Sequence, residues 1–235
     1  MSTVLSFAGH YTLFRHLVND YTFHIPPPCS ERVEILFTDK DILVVHKPAG
    51  LLSVPGRIVK DCILHRLQTR YPDAVIVHRL DLDTSGLLVL SRSTPATSDL
   101  NRQFRERIVR KTYIAIVDGV VENDSGEIEL PIRADPDNRP RQVVDQKNGK
   151  QALTHYTVVE REVDCSRLLL MPVTGRSHQL RIHLAGVGHP ILGCDLYAPE
   201  EILHRADRLL LHATGLEFFH PFSKEWLVFK SEPSF

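Results

Sequence analysis

Residues 78–86 read His-Arg-Leu-Asp-Leu-Asp-Thr-Ser-Gly and stand between two apolar runs, Ala74–Val77 and Leu87–Leu90. Short runs rich in β-branched residues or leucine, on either side of a polar connection closed by glycine, predict two strands and a loop. The loop therefore hangs off a rigid support, and it carries four residues that can be charged, His78, Arg79, Asp81 and Asp83. A scaffolded loop of this kind is a frequent seat of chemistry. The same composition also suits a solvated turn in which Asp81 or Asp83 bonds its own backbone.

The chain on either side is read in the same way. Glu31–Thr38 and Ile42–His46 flank the Asp39-Lys40-Asp41 turn and predict a β-hairpin. Two prolines and two glycines between Lys47 and Gly56 exclude a continuous helix or central strand there. Ile63, Leu64 and Leu67 have helical spacing, and Pro72 ends that run. A second helix is expected from Thr94 to about Arg107, with Thr94 as cap and Pro95 at the first helical position. Further strands are expected at Lys111–Val117, Glu127–Ile132, Ala152–Val163, Leu168–Val173, Leu209–His212, Leu216–Phe219 and Trp226–Lys230. The fold class is α+β with a mostly antiparallel sheet. Residues 1–30, which end in Pro26-Pro27-Pro28 and Cys29-Ser30, read as an extended arm on a body that runs from Glu31 to Phe235.

Composition narrows the function. No stretch approaches the roughly 20 apolar residues that span a bilayer, and the first residues lack the pattern of a secretory signal, so a cytoplasmic protein is expected. Cys29, Cys62, Cys165 and Cys194 form no CxxC pair, which argues against a zinc ribbon and a disulfide framework. His178, His183 and His189 lie near Cys194, but without the spacing of HExxH, and no metal site is expected. Gly50 and Gly56 do not make a P-loop, and no G-x-S-x-G is present. A net charge of −1 means that any affinity for nucleic acid must come from local basic patches. Arg102, Arg105, Arg107, Arg110 and Lys111, opposed by Glu106 alone, form one such patch, which is either a phosphate track or a solvated helix face. Arg139, Arg141, Lys147 and Lys150 form a second, diluted by Asp135, Asp137 and Asp145.

The motif at 78–86 resembles the catalytic motif of the RluA-type pseudouridine synthases, HRLD followed two residues later by TSG. Lys47-Pro48-Ala49-Gly50-Leu51 resembles the family's KPxGL segment, and Arg110–Tyr113 a segment whose Tyr lies against the target base. Thr174–His183 resembles TGRxHQxRxH, and Gly188–Tyr197 the segment after it, although many relatives have Asp where this chain has Cys194. The similarity extends over roughly residues 31–235. It implies a long, bent, mixed sheet crossed by a central cleft and flanked by helices. It also implies Asp81 as the essential catalytic residue, Arg181 as its basic partner, Tyr113 on the base and Arg79 in the space left by a flipped nucleotide. The RNA-binding residues would be Arg79, Arg102, Arg105, Arg107, Arg110 and Lys111.

The implied reaction explains the residue types. Uridine becomes pseudouridine when the N1–sugar bond breaks, the uracil turns, and C5 joins the sugar, with no net redox change and no cofactor. A carboxylate can serve as nucleophile or base, and a neighbouring guanidinium favours its charged form. An aromatic ring can hold the detached uracil by stacking. The nucleotide must leave its stack at a cost of a few kcal/mol. The lack of an added RNA-binding domain, together with Ser53-Val54-Pro55-Gly56-Arg57, is most similar to the branch that acts on large-subunit ribosomal RNA and the tRNA anticodon stem-loop. RNA is the expected partner and a monomer the expected state. The alternative is a non-catalytic RNA-binding protein of the same fold.

Overall fold

The computed structural model describes residues 27–235. The proposed arm therefore lies outside the described residues except for its last four. The elements in chain order are β1 (Glu34–Thr38), β2 (Ile42–Lys47), α1 (Ile63–Gln68), β3 (Val75–Ile76), β4 (Ser85–Ser91), α2 (Thr94–Arg105), β5 (Arg110–Asp118) and β6 (Ser125–Glu129). They continue with β7 (Ile132–Ala134), β8 (Gln142–Val144), β9 (Leu153–Arg161), β10 (Cys165–Pro172), α3 (Gln179–Gly186), α4 (Glu200–Leu203), β11 (Leu211–Phe219) and β12 (Trp226–Lys230).

One ten-stranded sheet carries the fold, in the order β1-β2-β4-β11-β5-β10-β9-β6, with β3 paired to β4 and β12 to β11. Every pairing in it is antiparallel except β4 with β11, which meet in parallel at two residue pairs, His212 with Ser85 and Ala213 with Gly86. The sheet is thus mixed and mostly antiparallel, and the class read from the sequence holds. β7 and β8 form a separate two-stranded ribbon.

The period-two pattern decides what each face buries. On β2 and β4, Leu43, Val45, Leu88 and Leu90 pack with α1 residues Ile63 and Leu67 on one face. Ile42, Val44, Leu87 and Val89 pack on the other, with Leu100 of α2 and Phe218 of β11. Both faces are covered, which is why these strands read as unbroken apolar runs. A third cluster joins β5, β10 and α3 through Ala115, Val117, Leu168, Leu170, Leu180 and Leu184.

Local chemistry shifts several boundaries. α2 is capped by Ser93, whose Oγ accepts from the Ala96 N–H at 3.3 Å, so Thr94 and Pro95 already lie inside the helix. The helix stops at Arg105, and Arg107 follows with φ of 59°, a left-handed turn no helix continues through. The run Ala74–Val77 yields only the two-residue β3. The stretch expected as one strand at Glu127–Ile132 divides between β6 and β7. Conversely, the two strands expected at Leu209–His212 and Leu216–Phe219 are one, β11, whose register against β5 slips between Ala213 and Gly215. Gly86 has φ of +110°, and a Cβ there would lie 2.3 Å from the Ala213 carbonyl oxygen. The backbones of β4 and β11 meet at this point with no room for a side chain.

Candidate active site

The loop between β3 and β4 carries Asp81 to one wall of a cleft of ≈ 590 Å³. β5 supplies Lys111 and Tyr113 to the floor, and the segment from Pro172 to Arg181 supplies the opposite wall. The three catalytic candidates Asp81, Tyr113 and Arg181 therefore line one cleft, although they come from distant parts of the chain.

A buried glutamine reinforces the backbone bonds that hold the opposite wall to β9. The buried Gln179 accepts through Oε1 from Thr174 Oγ1 at 2.7 Å and from the Arg176 N–H at 3.0 Å. Its Nε2 donates to the Leu153 carbonyl and to Thr154 Oγ1, both at 3.0 Å. All of its strong hydrogen-bonding positions are used to pin the loop before α3 onto β9. His178 then enters the helix in a left-handed conformation, with φ of 56°. Its Nδ1 lies 2.7 Å from the Tyr197 hydroxyl and its Nε2 4.0 Å from Asp81 Oδ1. With the Tyr197 O–H donating to Nδ1, the proton sits on Nε2 and faces the carboxylate; the other tautomer would set a lone pair against it. Burial pushes the His178 pKa down and Asp81 pulls it up; the net shift is down, so the ring is neutral at pH 7. The sequence reading weighed His178 only as a rival metal ligand; its interval from Asp81 in the chain gave no sign that the two meet.

Arg181 is only 3 % exposed. It does not form the direct pair with Asp81 that the resemblance implies. Its guanidinium donates to Asp195 Oδ1 and to Cys194 Sγ, the latter at 3.3 and 3.4 Å, and lies 5.4 Å from the Tyr197 ring centre. Burial works against its charge, and Cys194, Asp195 and Asp81 outweigh burial. The physical reason for the difference is reach: α3 holds the guanidinium beside the 194–195 turn, so Asp195 takes the ion pair while Asp81 interacts through space. Tyr113 sits between two core clusters, and burial, reinforced by Asp81, raises its phenol pKa, which keeps the hydroxyl protonated.

The basic residues divide. Arg79, Arg105, Arg107 and Lys111 line the cleft, joined by Arg176, which the sequence reading did not single out. Arg79 is exposed and donates to Ser177 Oγ at 3.3 Å, bridging the two walls. Burial lowers the pKa of Lys111. Arg102 and Arg110 are directed elsewhere. Arg102 pairs with Asp99 at 3.0 Å and Glu106 at 2.7 Å, and Arg110 covers the Trp226 ring at 5.4 Å.

The histidines near Cys194 do not converge. His183 is bonded to Thr154 and the Leu130 carbonyl, and His189 to the Asp118 carbonyl. Among the described residues, Asp39, Asp41 and His220 place candidate ligand atoms within 4.8 Å of one another. The imidazole is otherwise committed: Nδ1 accepts from the N–H groups of Phe222 and Ser223, which leaves the proton on Nε2, donated to Asp39 Oδ2 at 2.8 Å. A protonated ring nitrogen has no lone pair for a metal.

A carboxylate, a buried guanidinium and an aromatic ring thus share a basic cleft across a mixed sheet. Residues 41–186 match the family model described as RNA pseudouridylate synthase. The chain belongs to this family, and it is an isomerase that acts on RNA. It is 47 % identical over 203 residues to the dual-specificity RNA pseudouridine synthase RluA of Vibrio cholerae, a match covering 86 % of this chain and 82 % of that one. It is 49 % identical over 204 residues to the RluA of Yersinia pestis, covering 86 % and 99 %. Of solved structures, human RNA Pseudouridylate Synthase Domain Containing 1 superposes with a TM-score of 0.75 at 29 % identity, over 89 % of this chain and 86 % of that one.

Proposed function

We propose that this enzyme isomerises chosen uridines in two kinds of RNA, large-subunit ribosomal RNA and the tRNA anticodon stem-loop, as a cytoplasmic monomer that needs neither metal nor cofactor. The observation that carries this reading is the meeting of Asp81, Tyr113 and Arg181 in one cleft rimmed by Arg79, Arg105, Arg107 and Lys111. The dual specificity in the names of its relatives supports the choice of two substrates.

In this reading the extruded uridine enters between the two walls, and Arg79 takes its place in the stack. The Asp81 carboxylate, as nucleophile or base, drives loss of the bond between N1 and C1′. Tyr113, protonated and held in the core, stacks on the freed uracil so that C5 can turn toward C1′. The new C5–C1′ bond forms, the C5 proton leaves, and N1 takes up a proton, so the reaction balances without an outside reagent. The His178 Nε2–H faces the Asp81 carboxylate, and the Arg181 charge acts on it through space. Cleft arginines that contact phosphates offset the cost of extrusion.

The test is release of tritium from uridine labelled at C5, measured separately on a ribosomal RNA fragment and on an anticodon stem-loop, with chelator present. Release from both is expected. Release from one alone removes dual specificity, and release from neither overturns the reading. Restoration by zinc of activity lost in chelator would defeat the metal-free claim.

A further inference from the structure

The hydroxyl of Tyr197 joins two parts of the molecule that are otherwise separate. It accepts from the Gln142 N–H at 2.9 Å and lies 2.7 Å from His178 Nδ1. A phenol oxygen carries one proton, and the Gln142 N–H can only donate to it, so that proton is available to Nδ1. Burial pushes the Tyr197 pKa up to about 12, and the proton stays in place at neutral pH. The same ring meets the His178 ring edge-on, with centres 5.7 Å apart, and carries the Arg181 guanidinium over its face. Tyr197 thus touches both of the groups that act on Asp81 from the opposite wall.

Its other partner belongs to the ribbon. Gln142 opens β8, outside the ten-stranded sheet. At the base of the ribbon, Ile132 and Lys150 exchange two backbone bonds of 2.9 Å, and Ile132 packs with Ala152, Ile182 and Tyr197. Beyond that base, among the described residues, the Gln142 N–H is the one group of residues 133–144 that hydrogen-bonds to the chain outside 131–150. The far end of the ribbon carries Arg139 and Arg141, both exposed, and among the described residues neither guanidinium has a partner. Two nearby acids are already engaged: Asp135 accepts from the Asp137 N–H and from Asn138, and Asp145 from Arg133. A phosphate held by Arg141 would therefore sit one residue from the N–H that orients Tyr197.

We propose that Tyr197 is a positioning residue that couples the β7–β8 ribbon to the catalytic wall: RNA engaged at Arg139 and Arg141 seats the Gln142 N–H on the phenol oxygen, the phenol proton fixes His178 Nδ1 as acceptor, and His178 turns its Nε2–H to Asp81. The proposal rests on the reading of Asp81 as the catalytic carboxylate. Packing does not call for the hydroxyl. A phenylalanine would fill the same space beside Ile132 and Ile182 and keep an aromatic face toward Arg181. What it would lose is the link: the Gln142 N–H would have no acceptor, and His178 could take the tautomer that sets a lone pair against Asp81.

The experiment uses the full chain with Tyr197→Phe, the double variant Arg139→Gln with Arg141→Gln, all three changes together, and Asp81→Asn. Single-turnover tritium release from a C5-labelled anticodon stem-loop is measured beside RNA affinity, melting temperature and the imidazole 15N shifts of RNA-bound protein, which report the His178 tautomer. Tyr197→Phe should mix the tautomers and lower the rate about tenfold, with affinity within about twofold of wild type. The arginine double variant should lower affinity in either background, but lower the rate of the bound complex and mix the tautomers only where Tyr197 is present. If Tyr197→Phe does not fold, the tautomer in the arginine double variant decides: an unchanged Nε2–H overturns the coupling. So does a rate loss in Tyr197→Phe without a change of tautomer, which would be a packing effect, or an arginine effect on rate that is equal in both backgrounds. A rate within twofold of wild type for Tyr197→Phe, with Asp81→Asn inactive, overturns the proposal and leaves the assignment of Asp81 standing. Wild-type turnover by Asp81→Asn removes that assignment, and the proposal with it.

Discussion

Asp81 and Arg181 stand far apart in the sequence and line one cleft, whereas Arg102 and Arg110 stand beside Arg105 and Arg107 and face away from it. The basic segment crosses a change of geometry, from α2 through a left-handed residue at Arg107 into β5. On the helix, Arg102 meets its i−3 and i+4 acids. On the strand, Lys111 and Tyr113 share the cleft face while Arg110 lies on the other and covers Trp226. The motifs at 78–86 and 174–183 behave oppositely, because each ends in an element that packs at the middle of the sheet. Nearness in sequence predicts a shared surface only within one element, and a charge run that spans two is divided.

The largest effect should come from Asp81→Asn, which keeps the side chain's shape and removes its charge. Single-turnover tritium release should become undetectable while RNA affinity survives. Asp83→Asn, two residues along at a position the family motif leaves open, should retain much of the activity, and a dead Asp83→Asn would reverse the assignment. Arg181→Lys tests the other wall. A lysine keeps the charge but cannot donate to Cys194 and Asp195 through a planar fork. We expect a loss of about tenfold in single-turnover rate, about 1.4 kcal/mol, and an unchanged rate would mean that charge alone suffices.

The division of the basic segment gives a sharper contrast. Neutralising Arg105 and Arg107 to Gln should lower the slope of log affinity against log salt by about two units, since each lost phosphate contact removes about one. The same change at Arg102 and Arg110 should leave it in place. Equal slopes for the two double variants would make the segment a single surface after all. The smallest effect concerns stability. His78 accepts the Val89 N–H on Nε2 at 3.1 Å and lies against Phe104, and burial holds its pKa down at about 3. The unfolded chain, with an ordinary histidine near 6.5, takes up the proton first. Stability from this group is complete above pH 6.5 and falls as pH drops toward 3. Melting temperature should decline over that range, and less steeply in His78→Asn.

Much of this was legible in the chain itself. The two sides of β2 and β4 announced themselves as apolar runs, the proline-bearing start of α2 lay within one residue of its expected place, and Trp226–Lys230 is a strand as read. What escaped depends on contacts that no local pattern encodes. β11 looked like two strands because Thr214-Gly215 reads as an interruption, whereas the glycine lets the strand slip past Thr112, whose Oγ1 would lie 2.1 Å from a Cβ at that position. The 181–195 pair was hidden because a resemblance transfers residue types and leaves side-chain reach undetermined. His178 near Asp81 required a left-handed residue before α3, which histidine rarely adopts and no spacing rule foretells.

Gly86 bears on the cleft in a way that residue lists do not convey. Asp81 belongs to the half of the sheet that ends at β4, and Tyr113 to the half that continues from β11 through β5. The halves are joined along this line by only two residue pairs. The span across the active site is therefore gauged by a missing atom: one methyl group on Gly86, far too small to reach the substrate, would act as a wedge in that joint and drive the Asp81 wall and the Tyr113 floor apart.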